Sequence, residues 1–456
     1  MSEGAGPDAT LGLSRPVTAV FGGALAIYLG IAAWLTWRTS ILEPYSDMYD
    51  WLVRWRQWQA DGNLGRYLWA PHNFHHLVWT FTVLGLDIGA FGASGYLFLA
   101  VGVGCLAATA VMLARFAGRA AGPGLQLVGG GVALALSLMG CDILDATADI
   151  NTTYVHALVF AVAAILLAGA PGDKTLLRRG AVLVCAVAAG LGSAAGLAVW
   201  PALLFGAWRS GERRWLLALL AATGEFSTLY LMGDTSPTSG VAAHVSPVEA
   251  IELVLNYLAL PWVRALPAAG LPIGVAVLAV SLAAVGGALR RSADAAARTA
   301  AGLILFSLGT AVMAGAARTG VTAPSLVPIR YAAFLIPLHV GLWVIALPHL
   351  RRFWTDRPRR VEAAVAAAAV LLVGHQAVMA VFAVRTADIN LRVVADFREG
   401  RRSPAMLVTI GPDLDKRQAQ AAQLRREGRY QRELRPDPPA APSSGGSGTS
   451  ASSPGR

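Results

Sequence analysis

The residues best suited to chemistry lie between the long apolar runs. Asp47 and Asp50 open a segment in which Met48, Trp51, Leu52, Trp55 and Trp58 recur at helical spacing, which predicts a helix with one apolar face. Asp47, Asp50, Arg54 and Gln57 form a polar stripe beside that face. Carboxylates beside lipid are costly and mark functional candidates. They could take a proton from a hydroxyl or hold a cation. The competing reading of Asp47 is structural, because Ser46-Asp47 is a good helix N-cap pair. His72, His75 and His76 follow at i, i+3 and i+4, a spacing that puts imidazoles on one helical face as metal ligands or polar anchors. No carboxylate is spaced to complete such a centre. No metal site is assigned, and a divalent cation is allowed but not demanded.

A second acidic stretch holds Asp142, Asp145 and Asp149. Folded against the first, it would present two carboxylate groups to one cavity. The alternatives are a solvated loop, or Asp149 and Asn151 capping the helix that follows. Basic residues on the same side are few: Arg318, and Arg330 with Tyr331 beside it. A guanidinium binds phosphate in a bidentate manner and keeps its charge near lipid; snorkelling to headgroups is the alternative. His244 and Glu249 fall in a loop at 233–266 whose segment 247–260 reads as an interfacial helix.

These residues need a scaffold, and composition says what kind. Of 456 residues, 55% are hydrophobic and only 14% charged, with mean hydropathy +0.54, against about 25% charged in soluble domains. An ordinary soluble enzyme and a disordered chain are excluded; an all-α polytopic membrane protein is expected. The net charge of +10 comes from arginine, with Lys174 and Lys416 the only lysines. That bias fits a high-GC bacterial chain and not a nucleic-acid partner. Cys105, Cys141 and Cys185 lie in or beside apolar runs with no CxxC spacing, so neither a disulfide framework nor a zinc site is indicated.

Eleven spans are expected, at 17–37, 94–114, 125–141, 154–170, 181–193, 196–208, 215–232, 267–289, 300–317, 331–348 and 362–383. The first is too long for a signal-peptide core and is read as retained. With the N-terminus inside, Arg115, Arg119, Arg178, Arg209, Arg290 and Arg351 all fall in inner loops, as positive-inside sorting requires. The C-terminus is then outside. The stretch 76–91 is read as a helix lying in the outer interface, anchored by Trp79 and Phe81. The stretch 181–208 is read as two short helices in a hairpin, whose break at Gly192–Gly196 faces a cavity. Residues 1–383 form the membrane domain, 384–435 an Arg-rich, partly helical external tail, and 436–456 a disordered Pro/Ser/Gly end.

This layout resembles the GT-C fold of polyprenyl-phosphate-sugar-dependent glycosyltransferases. The resemblance rests on a first long outer loop with two interfacial helices and an acidic residue just after the first span. It also rests on Arg330-Tyr331 at the outer start of a late span, and on the small-residue hairpin Ser193-Ala194-Ala195-Gly196-Leu197-Ala198-Val199-Trp200-Pro201. Pro71-His72-Asn73-Phe74-His75-His76 looks like the Asn-Glu-His-Arg type motif of poorly annotated bacterial members, with Phe74 and His76 in place of Glu and Arg. The resemblance covers roughly residues 15–385. It implies a polyprenyl-phosphate sugar donor, an envelope glycan or lipid acceptor, and an outer-face site in the bacterial cytoplasmic membrane. Asp47 would be the base and Arg330 with Arg318 would hold phosphate. A transporter or flippase is the main rival, but ionisable residues inside the expected spans are nearly absent apart from Glu225, where coupled transporters bury them. An inactive scaffold of the same fold is the other.

Overall fold

The computed structural model describes residues 13–72, 75–147, 152–232, 246–260, 262, 267–290, 294–319, 327–411 and 413–430. Among them the regular structure is helical. Helix α1 (Arg15–Thr39) leads into α2 (Met48–Asp61), α3 (Leu64–Trp69) and α4 (Val78–Ala90). Next come α5 (Tyr96–Ala121), α6 (Gln126–Ser137), α7 (Gly140–Ala146), α8 (Thr152–Gly169) and α9 (Leu176–Gly190). A 3-10 turn at Ala194–Ala198 joins α9 to α10 (Val199–Arg209), followed by α11 (Arg213–Leu231), α12 (Pro247–Leu258), α13 (Gly270–Arg290) and α14 (Ala295–Arg318). A second 3-10 segment, Ile329–Leu335, opens α15 (Ile336–Asp356); α16 (Pro358–Arg398), α17 (Pro404–Thr409) and α18 (Leu414–Arg426) complete the described chain.

The chain is a polytopic membrane protein in which seven helices are long and apolar enough to cross a bilayer: α1, α5, α8, α13, α14, the segment containing α15, and α16. These match seven of the eleven expected spans. The other four, 125–141, 181–193, 196–208 and 215–232, are not among them. Their helices α6, α9 and α10 have 12, 15 and 11 residues, and at ~1.5 Å per residue none reaches the ~30 Å of hydrocarbon. Helix α11 has 19 residues but carries Arg213, Arg214 and Glu225. Three of them pack against the long helices, α6 on α5, α9 on α8 and α10 on α14, and α11 packs on α10. Glycine brings α6 close: a Cβ at Gly130 would sit 3.0 Å from the Ala114 carbonyl oxygen of α5.

Helices α1 and α16 run parallel in matched register. The Ser14 N–H donates to Glu362 at 2.6 Å near their starts, and Arg38 pairs with Asp388 at 2.7 Å near the end of α1. Helix α16 has 41 residues, about 60 Å by helical rise, so its last turns project past α1 alongside α2. The compositional change at residue 384 falls inside this helix without interrupting it. Beyond it, α17 and α18 fold back onto α2. Met48, Trp51, Leu52 and Phe81 share one core with Val393, Phe397, Met406 and Leu424.

That core corrects two expectations about the first loop. The tryptophan face of α2 is not an anchor in headgroups, because Trp51 is 2% exposed and covered by protein from the far end of the chain. Phe81 is fully buried, and Trp79 stacks on Phe160 of α8 at 5.1 Å. Both intended anchors of α4 therefore point inward. With 13 residues, α4 is too short to cross.

Candidate active site

The site is built outward from Asp47. Ser46 stands in the left-handed region at φ 54°, which costs a non-glycine residue energy unless its surroundings hold it. Arg417 of α18 supplies the hold, donating to the Ser46 carbonyl at 2.7 Å and to that of Ile410. After this turn Asp47 is already helical, at φ −63° and ψ −13°, and its side chain makes no capping bond. A capping side chain needs an extended backbone at that position. The capping reading of Asp47 therefore fails, and the carboxylate turns to His72, 3.3 Å from its Nε2. Burial pushes the Asp47 carboxyl up. The hydrogen bond with His72 and the charges of His72, Arg330 and Arg417 outweigh it and hold the group below its ordinary value.

The three histidines do not share a helical face. Pro71 forces Ala70 out of helical geometry, to φ −56° and ψ 137°, as the residue before proline commonly is. Helix α3 stops, and His72 and His75 exchange backbone hydrogen bonds of 2.8 and 2.9 Å. The intervening Asn73 and Phe74 lie outside the described residues. Each imidazole then goes its own way. His72 meets Asp47. His75 accepts the Ala194 N–H on Nδ1 at 3.1 Å. His76 packs its ring nitrogens against the carbonyls of Trp69 and Tyr230 and pins α3 to the end of α11. The shared helical face that the spacing would give is thus not formed, and among the described residues no group of three His, Cys, Asp or Glu is placed to hold a metal ion.

Ala194 is the tip of the α9–α10 hairpin, so the expected break lies against the first loop and meets His75. A Cβ on Gly196 would fall 2.0 Å from the Ala189 carbonyl; only glycine lets the chain reverse there. Burial, then the charges of Arg318, His72, Arg330 and His76, push His75 down to about 4. The ring is neutral at physiological pH. With Nδ1 accepting, its proton sits on Nε2 as a donor.

Those charges come from the opposite wall. Arg318, the last residue of α14, donates its Nε to the Tyr331 hydroxyl at 2.9 Å. Arg330 lies 5.8 Å over the Tyr331 ring, and its charge acts on both Asp47 and His75. Its Nε is buried without a hydrogen-bond partner among the described residues. Tyr331 stacks on Tyr257 at 5.8 Å and meets Tyr154 edge-on at 5.5 Å. Asp47, His72, His75, Arg318, Arg330 and Tyr331 thus form one constellation drawn from the first loop and the α14–α15 connection.

Other candidates stand apart. Asp50 pairs with Arg417 at 2.9 Å. Arg54 donates to the Arg66 carbonyl at 2.8 Å and covers Phe81. Both brace the first loop. Asp142 is fully buried in α7, where its charge acts on Tyr28 of α1; it is a core residue and not the floor of an open loop. The side chain of Asp145, and residues Asp149, Asn151 and His244, lie outside the description. Glu249 sits in the first turn of α12, whose start Ser246 caps. Sequence reasoning missed Ser46, Arg417, Tyr154 and Tyr257, and also Asp87, a buried carboxylate that accepts the Gly95 and Leu97 N–H groups at the start of α5.

Compared with family models, curated proteins and solved structures, the chain matches none of them.

Proposed function

We propose that this protein transfers a sugar from a polyprenyl-phosphate donor to a hydroxyl of an envelope glycan or lipid acceptor at the outer face of the bacterial cytoplasmic membrane. The observation that carries the reading is a half-buried carboxylate, Asp47, that feels the charge of Arg330 from a remote part of the chain, beside His75, which feels both Arg330 and Arg318. The face bearing α2 is taken as the outer one. Arg119, Arg178, Arg209, Arg290 and Arg351 end or begin helices at the other face, and basic residues favour the cytoplasmic side.

The donor phosphate sits between Arg318 and Arg330, with the His75 Nε2–H as a third donor. These charges are fixed before the reaction and stabilise the departing phosphate. Asp47 accepts the acceptor's hydroxyl proton. The acceptor oxygen forms its bond to the anomeric carbon while the bond from that carbon to the phosphate oxygen breaks, inverting the configuration and releasing polyprenyl phosphate. A carboxylate kept well ionised is a weak base. It suits a hydroxyl that loses its proton late, after positive charge has built up on the sugar. No step requires a metal.

The test is a release assay on the protein in lipid nanodiscs, with a panel of polyprenyl-phosphate sugars and envelope-glycan acceptors. Sugar transfer should vanish in Asp47→Asn with donor binding kept, and Arg330→Ala should weaken donor binding. Transfer that survives Asp47→Asn removes the base assignment. Movement of a lipid or ion with no transfer from any donor would make the protein a transporter.

A further inference from the structure

A cleft of about 280 Å³ opens between α2 and α3. Its polar lining includes Asp50, Gln57, Asn63, Arg66 and His72. Trp58, half-buried, lines it as well and stacks on Tyr67 with 4.8 Å between ring centres and 16° between planes. We propose that this cleft is the acceptor subsite and that it takes a carbohydrate chain. The proposal rests on the sugar-transfer reading above and names the acceptor class it left open.

Three features carry it. The first is composition. Amides, carboxylates and a guanidinium supply donors and acceptors side by side, the complement of neighbouring hydroxyls on a sugar ring, while Trp58, backed by the buried Tyr67 ring, gives a rigid flat surface for the ring's C–H face. The second is charge. Arg66 lies 3.9 Å from Asp61 and Asp50 is paired with Arg417, and Arg54 is already committed to the Arg66 carbonyl and the Phe81 ring. Such a cleft favours a neutral polyol over a phosphate headgroup, for which the Arg318–Arg330 pair is built. The third is continuity. His72 lines the cleft, and its Nε2 lies 3.3 Å from Asp47. A hydroxyl bound at the His72 end therefore lies one residue, His72, away from the base. Small-molecule sites run from ~300 Å³ upward, so the cleft grips a single sugar unit and leaves the rest of the chain outside.

The experiment photo-crosslinks the full chain in nanodiscs with diazirine-tagged neutral oligosaccharides of mannan, arabinan, galactan and glucan type, and maps the labelled peptides. Gln57→Trp is the blocking variant: Gln57 is exposed, and a larger ring there fills the cleft while α2 keeps its core contacts. Labelling is expected in residues 57–72, with yield falling about 10-fold or more in Gln57→Trp, a loss of at least one decade in affinity. Labelling should persist in Asp47→Asn and Arg330→Ala. Labels elsewhere, labelling indifferent to Gln57→Trp, or no labelling by any member of the panel overturns the proposal. The two readings fail separately. Sugar transfer unaffected by Gln57→Trp removes the cleft and leaves the transferase. Labelled α2–α3 peptides without transfer from any donor leave a carbohydrate site and remove the transferase.

Discussion

Arg417 is the perturbation with the most to say about how the site is held. The residue is 7% exposed and bonded to the Ser46 carbonyl, the Ile410 carbonyl and Asp50. Arg417→Met keeps the length of the stem and removes the guanidinium. Hydrogen bonds to a charged group contribute about 1.5–3 kcal/mol each. Ser46 is only half-buried and the Asp50 side chain is 40% exposed, so water restores part of what is lost. The local loss is then about 2–3 kcal/mol, felt where α18 meets the start of α2. Hydrogen–deuterium exchange in nanodiscs reads this directly. Amides in residues 45–61 and 404–426 should exchange about 30- to 150-fold faster, while those of α5 and α14 should hardly change. Arg417→Lys should recover only part of the protection, because an ammonium cannot reach three acceptors as the planar fork does. Unchanged exchange around Ser46 in Arg417→Met would refute the claim that this arginine holds the left-handed turn.

Three further outcomes follow from the same geometry. In the proposed reaction Asp47 acts ionised, and it is held below its ordinary value by His72, Arg330 and Arg417, so kcat/KM should stay flat as pH falls through the usual carboxylate range and drop only below it. In Arg417→Met the acid limb should move to higher pH; a limb that stays put would disconnect Arg417 from the base. Asp47 likewise contributes stability above its unfolded value that is lost as pH falls through its depressed one. Gly196→Ala forces a Cβ against the Ala189 backbone and should cost about 1–3 kcal/mol, visible as a lower thermal midpoint; an unaltered midpoint would mean the hairpin turn tolerates a side chain. Asp87→Ala strands the Gly95 and Leu97 N–H donors at about 1–3 kcal/mol, read as faster exchange at the start of α5; native protection there would count against Asp87 as its cap.

How much of this the sequence disclosed depends on whether the signal was local. Seven spans and their basic ends are legible because hydropathy and charge are summed over neighbours, and the α9–α10 break is legible because small residues cluster at 192–196. The α2 helix follows from its spacing. What covers it does not. Val393, Phe397 and Leu424 sit among arginines that give the region a polar average, and no local pattern says that Arg417 returns to Ser46, 371 positions away. The histidines fail for a different reason. Their i, i+3, i+4 spacing has meaning only inside a helix, and Pro71 ends the helix before they begin. In that case the proline was the stronger signal and the periodicity the weaker one. Asp47 turns on local backbone geometry. If Asp47 itself were extended, a capping Asp47 would be the better reading. With Ser46 at φ 54°, the same residue enters the helix early and its carboxylate is released toward His72. A backbone turn held from the other end of the chain separates a helix cap from a candidate base, which is why the sequence left both readings of the acid open.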